Sequence, residues 1–170
     1  MTPDAQRLAD RTLALVGIPS VSRDEAAIAA YVRSEMDATG LQCRHADGEG
    51  FYWRTPSRPG RPLVLLAGHL DTVPAQDNLP GRLEGGDVVG LGASDMKGGL
   101  AVMMELAAWI GTEPAPALAT DVGMLFFTRE ELQAVGDLAV ERDLVIISDE
   151  VHADLIYSGH KHIPMGTLSP

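Results

Sequence analysis

Residues 63–74 of this 170-residue chain read LVLLAGHLDTVP. The first five, Leu63–Ala67, are all apolar, which is typical of a strand that is buried on both faces of a parallel sheet. Further apolar runs cover Val122–Phe127 and Leu144–Ile147. Because helical patterns lie between these runs, the sequence predicts an α/β fold with a mainly parallel sheet in three layers.

Helical patterns also precede the first buried strand. Thr2 and Pro3 mark the start of one helix. Ser22 and Glu25 have the spacing of a capping box before a second helix, which Gly40 is expected to end. The pattern further predicts short strands at residues 41–45, 51–54 and 88–91. A further helix is predicted at residues 100–108.

The composition limits the classes of function. Lys plus Arg number 13 and Asp plus Glu number 24, and the net charge of −11 argues against binding to nucleic acid or to an anionic membrane. The single Cys43 cannot form a disulfide within the chain; we expect a small buried hydrophobe, with a reactive thiol as the alternative. The sequence shows neither a membrane-length apolar run nor a signal-peptide pattern, so we expect a cytoplasmic protein.

Polar residues follow two of the buried strands. The segment GHLDTVP follows the first, TREE follows the second, and LGASDMKGG lies at the entry to a helix. Ligands of open α/β sheets gather beyond the carboxyl ends of the strands, so five side chains can converge there: His69, Asp71, Asp95, Glu130 and Glu131. Imidazole and carboxylate donors suit zinc, manganese or cobalt. The alternative is a solvated helix start at TREE and a locally packed His69.

Four motifs, IPSVSRDE, LLAGHLDTVP, LGASDMKGG and FFTREEL, resemble the co-catalytic zinc metallohydrolases that include succinyl-diaminopimelate desuccinylase, acetylornithine deacetylase and aminoacylase. The resemblance covers residues 5–132 or so, and it implies that residues 1–132 are the N-terminal part of a zinc-exopeptidase-like catalytic domain. The implied reaction is hydrolysis of an amide bond in a small N-acyl amino acid or short peptide. The run GHLDTVPAQDNLPGRL is most similar to bacterial desuccinylases, which act on N-succinyl-diaminopimelate.

The same resemblance implies a role for each candidate residue. His69 would bind one metal ion, Asp95 would bridge two ions, and Glu131 would bind the second. Asp71 would orient His69, and Glu130 would be the general base. The expected metal is Zn²⁺, with Co²⁺ or Mn²⁺ as alternatives. The family pattern also implies a cis peptide bond between Asp95 and Met96.

Several parts of the family pattern have no match after Glu131. They are a further carboxylate ligand, a late histidine ligand and the domain through which these often dimeric enzymes associate. His160 and His162 are the candidates for a substitute ligand. The sequence therefore predicts a truncated or chimeric metal-dependent amidohydrolase that is weakly active or inactive as written.

Residues 133–170 resemble a segment of pyridoxal-phosphate enzymes with the aminotransferase fold, in particular cystathionine β-lyases. Within SDEVHADL, Asp149 matches the carboxylate that pairs with the pyridine nitrogen. The Schiff-base lysine and the phosphate-binding glycines have no match, so pyridoxal phosphate is not expected. A junction near residue 132 would explain both resemblances. The alternatives for the whole chain are a non-enzymatic remnant or a fragment of a pyridoxal-phosphate aminotransferase or lyase.

Overall fold

A computed structural model describes residues 3–46, 50–112 and 116–128 of the chain. Within these ranges the chain forms three α-helices and six β-strands. In chain order they are α1 (Pro3–Val16), α2 (Ala26–Asp37), β1 (Gln42–Ala46), β2 (Gly50–Arg54), β3 (Leu63–His69), β4 (Arg82–Glu84), β5 (Asp87–Val89), α3 (Gly98–Ile110) and β6 (Asp121–Phe127).

The main sheet has the strand order β1-β2-β6-β3. Strands β3 and β6 are parallel and in register, from Leu63 opposite Asp121 to His69 opposite Phe127. This pairing confirms the prediction for the two apolar runs and the α/β class. The described sheet is mixed, because β2 is antiparallel to both β1 and β6. A connection as short as the one between β1 and β2 permits only the antiparallel arrangement.

The three helices and one face of the sheet share a hydrophobic core. Side chains alternate along each strand, so Val122, Met124 and Phe126 face this core together with Trp53. The helices contribute Leu15, Ile28, Val32, Met36, Leu100 and Met104, among others. On the opposite face, Leu65 and Leu125 form a smaller buried cluster.

Helix α3 lies very close to the end of β3. A Cβ atom placed on Gly68 would come within 2.8 Å of Leu100 Cδ2 and Met96 Cε, so a larger residue would have to displace these two side chains. The contact fixes the start of α3 against the residue that precedes His69. The fold therefore brings the LGASDMKGG motif beside GHLDTVP.

Three expectations from the sequence are wrong in detail. Cys43 is exposed rather than buried, because every residue of the edge strand β1 is exposed. Ser22 and Glu25 do not form a capping box, since the Glu25 carboxylate accepts a hydrogen bond from the Arg23 amide at 2.6 Å. The strand predicted at 88–91 is present as β5, but it covers Asp87–Val89 and pairs with β4 in a hairpin that the sequence pattern had not indicated.

The predicted strand Leu144–Ile147 lies outside the described residues. In the described part of the chain, none of the helices combines the length and the apolar character that crossing a membrane requires.

Candidate metal site

The last residue of β3, His69, is the centre of the candidate site. Its ring lies between two carboxylates, with Nδ1 3.1 Å from Asp71 Oδ1 and Nε2 3.0 Å from Asp95 Oδ1. The His69 side chain is only 15% exposed. Three of the five residues predicted to converge are therefore in direct contact: His69, Asp71 and Asp95.

Asp71 holds the ring from the side opposite Asp95. Besides the carboxylate contact, its backbone oxygen lies 3.1 Å from the same Nδ1 atom of His69. Two oxygens on one nitrogen favour the tautomer that carries its proton on Nδ1. That tautomer leaves the Nε2 lone pair facing Asp95, which is the arrangement of a histidine that binds a metal ion through Nε2.

Asp95 lies in the short turn Ala93–Lys97 that precedes α3. Asp95 and Met96 depart from helical dihedral angles there, with φ and ψ of −131° and 98° for Asp95. The peptide bond between them is cis, as the family resemblance implied. The Asp95 side chain is 56% exposed, so its carboxylate faces solvent as well as His69.

The charges around the ring favour a cation. Burial by itself lowers the pKa of His69, but hydrogen bonds and charge attraction from Asp71 and Asp95 outweigh it and raise the pKa to about 10. Burial raises the pKa of Asp71, while hydrogen bonds from His69 and Ser22 outweigh it and keep the pKa below its ordinary value. Without a metal ion, the His69 ring therefore carries a second proton at neutral pH, and its positive charge balances the two carboxylates.

The geometry fits a metal ion in part. Unprotonated Nε2 and Asp95 Oδ1 are both acceptors, and at 3.0 Å they would repel unless a cation lay between them. Zinc bonds of about 2.0–2.2 Å in a tetrahedral arrangement would put two such donors about 3.3 Å apart. Residues 3–46, 50–112 and 116–128 contain no cluster of three metal-binding side chains, so they provide two donors and one orienting carboxylate.

The remaining predicted residues, Glu130, Glu131 and Asp149, lie outside the described residues. Their assigned roles stay predictions. Strand β6 ends at Phe127, which pairs with His69 in the parallel ladder.

Two residues near the site were missed by the sequence reasoning. Ser22 donates a hydrogen bond from Oγ to Asp71 Oδ2. Lys97 is 2% exposed, its Nζ donates to the Ile18 oxygen at 2.9 Å, and burial lowers its pKa to about 8. Both belong to motifs that carried the family resemblance, IPSVSRDE and LGASDMKGG. Their place in these motifs was the one sign in the sequence that they lie near the site.

Solved structures share this fold. A tripeptidase from Staphylococcus aureus matches with a TM-score of 0.64 at 22% identity, over 78% of this chain and 39% of the other. A dinuclear metal binding peptidase of the M20 family from Bacillus subtilis matches with a TM-score of 0.57 at 18% identity, over 82% of this chain and 39% of the other.

Two short matches confirm the second resemblance. Kynurenine–oxoglutarate transaminase 3 of Rattus norvegicus is 52% identical over 42 residues, which are 25% of this chain and 9% of that protein. Cystathionine beta-lyase PatB of Bacillus subtilis is 44% identical over 43 residues, which are 25% of this chain and 11% of that protein.

A longer match is to a curated relative from Mycobacterium tuberculosis. The putative succinyl-diaminopimelate desuccinylase DapE of Mycobacterium tuberculosis is 42% identical over 129 residues, covering 74% of this chain and 34% of that protein. The chain thus spans about a third of the length of this relative. The model of the peptidase family M20/M25/M40 matches residues 65–168. This match covers more than half of the 170 residues, and the chain belongs to the peptidase family M20/M25/M40.

Proposed function

We propose that this chain carries part of the zinc site of an amidohydrolase that cleaves N-acyl amide bonds, with N-succinyl-diaminopimelate as the first substrate to test. The observation that carries the proposal is His69 held at both ring nitrogens, by Asp71 on Nδ1 and by Asp95 on Nε2. The similarity to the desuccinylase of Mycobacterium tuberculosis supports this choice of substrate.

The residues that would hold the metal are His69, Asp95 and Glu131. Their imidazole and carboxylate donors suit Zn²⁺, with Co²⁺ or Mn²⁺ as alternatives. Bound ions of this kind polarise a substrate carbonyl. They also lower the pKa of water, so that it loses a proton and attacks the carbonyl carbon. Support for Glu131 comes from its position in the sequence, four residues after Phe127, which pairs with His69.

Asp71 and Glu130 would not bind the metal: Asp71 would orient His69, and Glu130 would transfer protons. Asp71 keeps the proton of the ring on Nδ1 and so keeps Nε2 available towards Asp95. Glu130 takes a proton from the attacking water and passes it to the departing amine, as a general base that then acts as a general acid. Its neighbour Glu131 is free for a different role because adjacent side chains need not point to the same group.

We expect the 170-residue polypeptide by itself to hydrolyse N-succinyl-diaminopimelate at less than a tenth of the rate of a full-length desuccinylase. Catalytic zinc usually has about three protein ligands, and this polypeptide supplies three matched ligands for two ions. The measurement is release of the primary amine by purified protein with added zinc. A rate within tenfold of that of the full-length enzyme would contradict the expectation if the Glu130→Gln variant abolished it. Such a result would mean that the 170-residue polypeptide contains a complete catalytic site.

We further propose that residues 1–132 and 133–170 have separate origins, with a junction near residue 132. The short transaminase and lyase matches support it, whereas the M20 match that continues to residue 168 speaks against it. Long sequencing reads of the source genome across codons 125–140 test the proposal. Reads that reproduce the sequence as written would support a gene fusion or rearrangement; reads that continue into the usual metallohydrolase motifs would show that the junction is an assembly error.

A further inference from the structure

We propose that Ser22 is a positioning residue of the metal site, whose hydroxyl group fixes Asp71 in the orientation that aligns His69. The inference rests on the proposed function, since its importance lies in how His69 is presented to a metal ion. Ser22 itself is exposed and touches neither of the two proposed ligands, His69 and Asp95, in the hydrogen bonds of the described chain. It would act through Asp71.

The two oxygens of Asp71 have separate partners. Oδ1 lies 3.1 Å from His69 Nδ1, and Oδ2 accepts the hydrogen bond from Ser22 Oγ. The terminal torsion of an aspartate is broad, so a carboxylate bonded through one oxygen can turn about it. A second bond on the other oxygen removes that freedom. The hydroxyl of Ser22 therefore selects the carboxylate orientation that the His69 ring requires.

The position of Ser22 does not depend on its own side chain. The Ser22 amide donates to the Thr72 oxygen at 3.0 Å, and the Thr72 amide donates to the Ser20 oxygen at 2.7 Å. These main-chain bonds hold the segment beside Asp71, and an alanine at position 22 would keep them. Lys97 secures the same segment through its 2.9 Å bond to the Ile18 oxygen. Removing the hydroxyl should thus loosen Asp71 without releasing the segment.

Ser20 offers a matched control two residues away. It is fully buried, and its hydroxyl oxygen has no hydrogen-bond partner in the described part of the chain. Its backbone oxygen makes the contact to Thr72, which an alanine would keep. The Ser20→Ala variant therefore changes the same segment but leaves the carboxylate of Asp71 untouched.

The first experiment measures zinc affinity by competition with a chelating dye. We expect Ser22→Ala to weaken zinc binding about tenfold, the lower end of what partners of metal ligands contribute. Ser22→Thr keeps a hydroxyl and should restore the affinity, and Ser20→Ala should leave it unchanged. The melting temperatures of the three variants should agree. If Ser22 had a purely structural role, a change in zinc affinity would be accompanied by a lower melting temperature.

The second experiment observes the Nδ1 proton of His69 by NMR in the metal-free protein, assigned through its loss in a His69→Gln variant. We expect this resonance in the wild type and in Ser22→Thr, and its broadening by exchange with water in Ser22→Ala. Unchanged zinc affinity and an unchanged resonance in Ser22→Ala would overturn the inference while zinc binding itself stands. A wild type that binds no zinc, with the resonance still sensitive to Ser22→Ala, would overturn the proposed function but support the link from Ser22 through Asp71 to His69.

Discussion

Zinc affinity is expected to fall by more than about 100-fold when Asp95 is replaced with asparagine. Loss of a residue that merely supports a metal ligand costs about 10–100-fold, and loss of a charged ligand should cost more. Asparagine has nearly the same shape as aspartate, so the substitution removes the negative charge next to His69 Nε2 and little else. Equilibrium dialysis with zinc, or competition with a chelating dye, measures the change.

A suitable control for this variant is Asp87→Asn. Asp87 lies on the exposed strand β5, away from the contacts that His69 makes. The control changes the net charge of the chain by the same amount, so it separates the local effect from a general weakening of cation binding. Equal zinc affinities of Asp95→Asn and Asp87→Asn would remove Asp95 from the proposed set of ligands.

The free energy of unfolding is expected to drop by about 3 kcal/mol in the variant Asp121→Asn, because breaking a buried ion pair leaves its partners uncompensated. Asp121 is 1% exposed. Its carboxylate accepts hydrogen bonds from Arg58 N at 2.9 Å, Arg58 Nε at 2.7 Å and an Arg54 guanidinium nitrogen at 3.2 Å. Urea unfolding of the variant beside Asp87→Asn measures the difference.

The same residue predicts a dependence on pH. Burial raises the pKa of Asp121, but hydrogen bonds from the backbone and the guanidinium of Arg58 outweigh it and hold the pKa below its ordinary value. A lowered pKa in the folded state means that the stabilisation is present above the unfolded pKa of about 4 and is lost as the pH falls through the folded pKa. The gap in stability between wild type and Asp121→Asn should therefore narrow below about pH 4. A gap that stays constant down to pH 2 would show that the charge of Asp121 contributes nothing.

Features that depend on neighbouring residues in the sequence were predictable. The apolar runs predicted the parallel pair β3 and β6, and the end of β3 predicted His69 and Asp71 as site residues. In a parallel sheet the carboxyl ends of strands meet at one edge, so local patterns were sufficient to predict that His69 and Asp71 lie at the edge where β6 also ends.

Features that depend on distant residues were not predictable. Ser22 and Asp71 are 49 residues apart, and the hydroxyl of Ser22 had an adequate local interpretation as a helix cap. The contacts of Asp121 with Arg54 and Arg58 span 67 and 63 residues. Strand β5 was predicted from its short apolar run, but β4 and its pairing with β5 were not, because β4 is exposed along its whole length and carries no apolar pattern.

The in-register pairing of β3 with β6 has a consequence for how such a protein can evolve. Asp121 pairs with Leu63 at one end of the ladder and Phe127 pairs with His69 at the other, six positions along. At about 3.3 Å per residue the two ends are about 20 Å apart. Substitutions farther apart than about 7–10 Å usually have additive effects. Stability effects of substitutions at the Asp121 end should therefore add to those at the His69 end, so a stabilising change at one end can compensate a destabilising change at the other.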